Sequence, residues 1–243
     1  MKKKVISIFL AVTVLFTFAT PALASETSRL ADTVAAANAF VDAYVESMDM
    51  QEVIERGEST GDFAILTLAD GTIWGASIYK IDTTEIFQAF SSDVPENKYS
   101  VTYVVDTTNV VPLNGGSTDS ITDRFGRIRL NMTASFFRTA VNSQGYTSMR
   151  ITNVRGNPTF LEDGVQITAG TVRAVSVRVG TNLTQDRSWT NVRSNFDHNT
   201  GLLTNVRSGS GSTVQAQWTT TISARGETFN LNLVIPFHTF FLI

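Results

Sequence analysis

The stretch VQAQWTTTISARGETFNLNLVI, residues 214–235, decides the fold of this chain. On both sides of the Arg225-Gly226 pair, mostly apolar residues at every second position alternate with polar ones. A period of two is typical of a strand that has one buried and one solvated face. The stretch therefore predicts an antiparallel β-hairpin, and its polar side is rich in uncharged Gln, Thr and Asn.

The same alternation extends upstream through most of the chain. Residues 128–136 alternate strictly, and Asp70-Gly71 separates two alternating runs at 63–69 and 72–81. An Asp-Gly pair between strands predicts a type I′ hairpin turn. Further strands are predicted at 99–105, 148–155, 165–169, 171–179, 188–196 and 202–207. Gly156-Asn157-Pro158 is expected to end the strand at 148–155. The chain is thus expected to be mainly antiparallel β, as a sandwich or barrel-like sheets.

One helix is predicted ahead of the strands, from Ser28 to Arg56. Its apolar residues recur at spacings of three and four, and it contains neither Gly nor Pro before Gly57. This pattern indicates an amphipathic helix that ends at Gly57 and packs on the β structure or leads into it. A break near Ser47 would divide it into two shorter helices, and both arrangements fit the sequence.

The first 24 residues have the pattern of a secretory signal peptide. Lys2-Lys3-Lys4 is followed by an apolar stretch from Val5 to Phe18 and by Pro21-Ala22-Leu23-Ala24, which has small residues at the cleavage positions. We expect cleavage after Ala24 and export. A chain without cysteine suits a bacterial secreted or wall-associated protein better than a disulfide-reinforced eukaryotic one.

The mature chain has an acidic first part and a basic second part. Residues 26–123 hold 17 acidic and four basic residues, whereas residues 124–243 hold 12 arginines and five acidic residues. Either the two parts neutralise each other within one molecule, or the arginines meet an external anionic partner. We expect four divisions: a signal peptide at 1–24, a helical segment at 25–57, an acidic β-hairpin region at 58–113 and an arginine-bearing β domain at 119–243. The last two divisions could also form a single domain.

Composition narrows the available chemistry. The chain has no cysteine and only two histidines, which excludes disulfides, thiolate metal sites and cysteine nucleophiles and leaves little for a histidine metal cluster. No cofactor, metal or catalytic residue is predicted. A hydrolase with an unrecognised site would most plausibly involve His198.

The outward side of the predicted sheet is the best candidate for a binding surface. Its amides, hydroxyls and guanidinium groups could bind an envelope or extracellular component of the cell. The candidate residues are Arg127, Arg129, Arg173, Arg178, Gln215, Gln217, Thr219, Thr221, Asn230 and Asn232.

Three functions are compatible with these observations. The preferred one is a secreted, non-catalytic protein that binds an anionic wall polymer, a polysaccharide or a protein partner; membrane contact and nucleic acid are less favoured. A β-pore-forming or membrane-active protein is the alternative, because the Ser/Thr-rich alternation resembles the inserting hairpins of pore-forming toxins. The hydrolase is the third.

Overall fold

A computed structural model describes residues 50–89, 96–113, 125–178, 184–203, 205–207 and 212–236. These residues form one short helix and a single antiparallel sheet of eleven strands. The elements are α1 (Met50–Arg56), β1 (Glu58–Leu68), β2 (Ile73–Ala89), β3 (Glu96–Pro112), β4 (Ile128–Thr139), β5 (Ser148–Phe160), β6 (Gln166–Arg178), β7 (Thr184–Thr190), β8 (Phe196–Asn199), β9 (Val206–Arg207), β10 (Ser212–Ala224) and β11 (Glu227–Pro236).

The sheet curls into a half-barrel. Its strand order is β7-β6-β10-β11-β1-β2-β3-β4-β5-β8, and β9 pairs with β5 beside that path. Five strands separate β5 from β10 in this order, yet the two strands contact each other across the interior. The predicted fold class, mainly antiparallel β with a helix ahead of it, is therefore confirmed.

One face of each long strand fills the interior of the curl. Trp74 and Trp218 are fully buried there, and Phe125 packs edge-on against both Trp74 and Phe229. On β10 the inward residues are buried and the outward ones are partly exposed, as the alternation predicts. Burial of these apolar side chains is the main stabilising contribution to such a sheet.

The turns at Asp70-Gly71 and Arg225-Gly226 differ in backbone geometry. At Asp70-Gly71 only Gly71 has a positive φ, and the Gly71 amide donates to the Leu68 carbonyl at 3.0 Å. The hairpin is present, but the type I′ turn expected there is wrong, because a type I turn followed by a left-handed glycine makes the longer connection. Arg225 and Gly226 both have positive φ, at 52° and 82°, as a two-residue type I′ turn requires.

The extent of β5 also differs from the prediction. β5 continues through Gly156-Asn157-Pro158, where a break was expected. Pro158 pairs with Leu130 of β4, whereas β8 covers β5 only at residues 153–156. Because that side of β5 has become a sheet edge at Pro158, the missing amide proton costs no ladder hydrogen bond.

The predicted helix is described only in its last two turns. α1 ends as expected at Gly57, whose amide donates to the Val53 carbonyl at 2.7 Å. The remainder, and the predicted signal peptide, lie outside the described residues. No described helix is long and apolar enough to cross a membrane. The strands of the 58–113 and 119–243 regions pair within one sheet, through β1 with β11 and β3 with β4.

Two leucine substitutions, one buried and one exposed, should measure how much burial in the interior contributes to the free energy of unfolding. Leu231 is fully buried, whereas Leu203 is 85% exposed. We expect Leu231→Ala to lower the free energy of unfolding by about 2–5 kcal/mol, through lost burial and the cavity left behind. Leu203→Ala should change it by no more than about 0.5 kcal/mol. Urea denaturation measures both, and similar losses at the two positions would contradict the inward assignment of Leu231.

Candidate functional site

The outward side of the β10–β11 hairpin carries a hydrogen-bonded row of uncharged side chains. Asn232 Oδ1 accepts from Gln217 Nε2 at 2.8 Å and from Thr219 Oγ1 at 3.1 Å. Thr221 Oγ1 donates to Asn230 Oδ1 at 2.8 Å on the same face. We call these five residues the polar ladder. All five are partly or fully exposed, so their polar groups can meet a ligand from solution.

An exposed ion pair extends the polar ladder across two more strands. Arg173 of β6 lies opposite Gln217 in the strand register, and its Nε donates to Asp186 of β7 at 3.0 Å. The hydrogen bond from Arg173 lowers the pKa of Asp186 below its usual value. The row from Asp186 to Asn232 therefore crosses four adjacent strands, and the charge of Arg173 is matched within it.

Of the other candidate residues, some lie on the strands of this row and some lie elsewhere in the sheet. Gln215 is half-buried on the same strand and face as Gln217, and Arg178 is exposed at the end of β6. Arg127 is exposed ahead of β4, where its backbone amide approaches Glu162 Oε2 at 3.3 Å. Three strands separate β4 from β11, so Arg127 does not form one surface with the ladder.

Arg129 is buried, unlike the other candidate arginines. Its Nε lies 3.4 Å from Asp106 Oδ2, and the two side chains are 6% and 1% exposed. Asp106 Oδ1 also accepts from the backbone amide and the hydroxyl of Thr108, at 2.7 and 2.6 Å. Arg129 is therefore part of a buried ion pair and is not available to a ligand at the surface. This pair joins an acid of the acidic region to an arginine of the basic region.

A second polar row lies beside Arg129 on the same face of the sheet. The hydroxyls of Thr102 and Thr133 are 2.8 Å apart, and Arg155 lies next to Thr133 in the strand register. All three residues are at least nine-tenths buried. Polar character on this face therefore marks a buried network, whereas on β10 and β11 it marks an accessible surface.

Aromatic stacking joins the two edge strands of the curled sheet. The rings of Trp189 on β7 and His198 on β8 are parallel within 8°, with centroids 4.6 Å apart. The ring of Phe196 also stacks against His198, with centroids 5.4 Å apart, and packs edge-on against Trp218 in the core. His198 lies within β8 and contributes to this contact.

Sequence reasoning did not find the acidic partners of the candidate arginines. Asp106 and Asp186 carry no motif, and only strand register brings them to Arg129 and Arg173. Within the described ranges, no group of three or more His, Asp or Glu residues could hold a metal ion. The chain matches no family model, and it resembles no curated protein and no solved structure.

The chemistry that the polar ladder can perform is hydrogen bonding. Each amide presents an acceptor oxygen and two donor hydrogens, and each hydroxyl can do either. Among the described contacts, Asn232 uses its oxygen and Gln217 its nitrogen, so the Asn232 nitrogen and the Gln217 oxygen take no part in the row. The internal bonds restrict the side-chain orientations, and the groups outside them remain available for hydrogen bonding.

Removing the buried carboxylate should test whether Arg129 is structural. We expect Asp106→Asn to lower the free energy of unfolding by about 3–5 kcal/mol, because the buried Arg129 charge loses its nearest opposite charge. Arg173→Gln breaks an exposed ion pair and should cost no more than about 1 kcal/mol. Urea denaturation of both variants makes the comparison. Equal costs would show that burial does not distinguish the two pairs.

The stack of Trp189 and His198 between the two edge strands should make the stability of the fold depend on pH. Burial lowers the pKa of His198 below its ordinary 6.5, and the charge of Asp197 opposes this less strongly. The unfolded chain therefore binds the proton more readily, and stability should fall as the pH drops below about 6.5. His198→Phe keeps an aromatic ring in the stack without the titration.

The measurement is the melting temperature at about pH 7.5 and pH 5 for both proteins. We expect the native protein to lose more stability than His198→Phe over that interval. An identical loss would mean that His198 does not contribute to the acid sensitivity of the fold.

Proposed function

We propose that this is a secreted, non-catalytic protein that binds a polysaccharide of the cell envelope or extracellular surroundings through the polar ladder. The observation that carries the proposal is the exposed, pre-oriented row of amides and hydroxyls from Gln217 to Asn232. Polysaccharides present regularly spaced hydroxyls, which pair with neutral donors and acceptors. Members of the ladder do not titrate near neutral pH, so they suit binding better than acid–base chemistry.

The sheet also supplies a repeating geometry. Outward residues recur about every 6.7 Å along a strand and about 4.8 Å between strands. Thr219 and Thr221 are neighbours along β10, and Asn232 and Asn230 stand beside them on β11. A polymer with a repeating pattern of hydroxyls could therefore contact several members of the row at once, and the weak individual bonds would add up.

Charge favours a neutral polysaccharide over an anionic wall polymer. Arg173, the arginine nearest the ladder in the strand register, is bound to Asp186. Arg129 is buried with Asp106. A polyanion at the ladder would have to compete with Asp186 for Arg173, whereas a neutral sugar polymer would not.

The test is retention of the protein on insoluble neutral and anionic polysaccharides and on purified cell walls. We expect retention on a neutral polymer that changes little with salt, because neutral hydrogen bonds are not screened. Gln217→Ala combined with Asn232→Ala should weaken retention at least about tenfold, since each lost hydrogen bond is worth about 1 kcal/mol. Retention is read from the bound fraction across polymer concentrations.

Gln166→Ala is the matched control, because Gln166 is an exposed amide on β6 that takes no part in the ladder. It should leave retention unchanged. Absence of retention on any polysaccharide would overturn the proposal. Retention that salt abolishes and the double variant leaves intact would replace the ladder with an arginine-mediated site for anionic polymers.

A further inference from the structure

An apolar surface lies next to the polar ladder on the same face of the sheet. Asn232 of the ladder pairs with Ile65 of β1. Ile65 pairs with Gly75 of β2, which pairs in turn with Val111 of β3. Residues that pair across neighbouring strands lie on one face of a sheet. This is the outward face, because Leu66, the next residue along β1, is fully buried in the core. The row that contains Asn232 therefore continues into apolar side chains.

An exposed phenyl ring lies within this apolar surface. Phe63 is two residues before Ile65 on β1, pairs with Ser77 of β2 and is 41% exposed. Its ring lies directly over Gly75: a Cβ atom added to Gly75 would be 2.9 Å from Phe63 Cγ and 3.0 Å from Phe63 Cδ1. Any side chain at position 75 would therefore displace the ring. The glycine lets the ring lie close against the sheet, with its exposed part toward the solvent.

A second row of the ladder also continues into apolar side chains. Asn230 pairs with Thr67 of β1, and Thr67 pairs with Ile73 of β2. Val111 is 42% exposed, whereas Ile73 is half-buried. Every residue of the two rows, from β10 to their last member on β2 or β3, is uncharged. We give the name apolar platform to Phe63, Ile65, Ile73 and Val111.

We propose that the apolar platform and the polar ladder form one binding surface for a neutral, extended, β-linked polysaccharide, in which the Phe63 ring stacks on the face of a sugar ring. This inference rests on the proposed function and adds the class of polysaccharide. A sugar ring with equatorial hydroxyls has C–H groups on its faces and hydroxyls at its edge. An aromatic ring fits the face, and amides and hydroxyls fit the edge. Ligand sites commonly combine apolar and aromatic surface with a few polar groups in this way.

The spacing and charge of the surface favour an extended, neutral chain. Asn232 and Gly75, which lies under the Phe63 ring, are two strand spacings apart, about 10 Å. A chain whose sugar rings lie flat in a ribbon can cross this distance and contact the ring and the amides together. A coiled chain turns its rings away from a sheet face after a short contact. Because both rows are uncharged, they offer a polyanion no opposite charge.

The test is retention of the protein on two insoluble β-1,4-linked polymers, of glucose and of N-acetylglucosamine, and on an insoluble α-1,4-linked glucan. We expect stronger retention on at least one β-linked polymer than on the α-linked one. Phe63→Ala should weaken that retention about tenfold, because the stacked ring and its apolar area are lost. Phe63→Trp keeps an aromatic face and should be retained at least as well as the native protein.

Two further variants separate stacking from a general loss of apolar surface or of folding. Phe160→Ala is the matched control, because Phe160 is 45% exposed on β5, and three strands separate β5 from β1. It should leave retention unchanged. Gly75→Ala should weaken retention by displacing the Phe63 ring, but it should cause no further loss when combined with Phe63→Ala. The melting temperature of each variant shows that it is folded under the conditions of the assay.

Three results would overturn this inference. The first is equal retention of Phe63→Ala and Phe160→Ala on the β-linked polymers, which would remove the platform from the site. The second is retention on the α-linked glucan that equals or exceeds retention on both β-linked polymers. The third is no retention of the native protein on either β-linked polymer. In each case the proposed function stands if another polysaccharide retains the protein through Gln217 and Asn232, and it fails only if no polysaccharide does so.

Discussion

Burial of one face of a single curled sheet is the constraint on which the rest of the structure depends. Trp74, Trp218 and Phe125 occupy the interior, and each strand must keep its apolar residues pointing toward them. A slip of one residue would turn a strand's apolar set outward. The register of every pair is therefore fixed by the core, and the outward residues are brought together as a consequence.

This constraint gives the outward side of the sheet two different characters. On β3 to β5 a row that includes Thr102, Thr133 and Arg155 is buried, and Arg129 and Asp106 form an ion pair nearly excluded from water. On β10 and β11 similar spacing produces an exposed row in which Gln217 and Asn232 bond to each other. The first arrangement is nearly excluded from water, while the second leaves its polar groups in contact with solvent. The same alternation thus gives a buried polar network in one region and an exposed polar surface in the other.

The members of the ladder could be predicted because they are local. Gln217, Thr219 and Asn232 belong to one hairpin, and a turn at Arg225-Gly226 is enough to place them side by side. The arginines were less predictable, since a guanidinium in a strand looks the same in sequence whether it is buried, as Arg129 is, or exposed, as Arg173 is. The burial of a side chain depends on the elements that surround its strand, and the residues of that strand do not specify those elements.

By itself, the sequence determined the β class, the inward and outward sets of β4, β10 and β11 and the hairpin that carries the ladder, because a period of two and a glycine turn act over a few residues. Tertiary structure alone decided that Asp106 meets Arg129 and that Trp189 stacks on His198. The second pair joins strands at opposite ends of the strand order. Such contacts follow from how far the whole sheet curls, and curl is a cooperative property of all its strands.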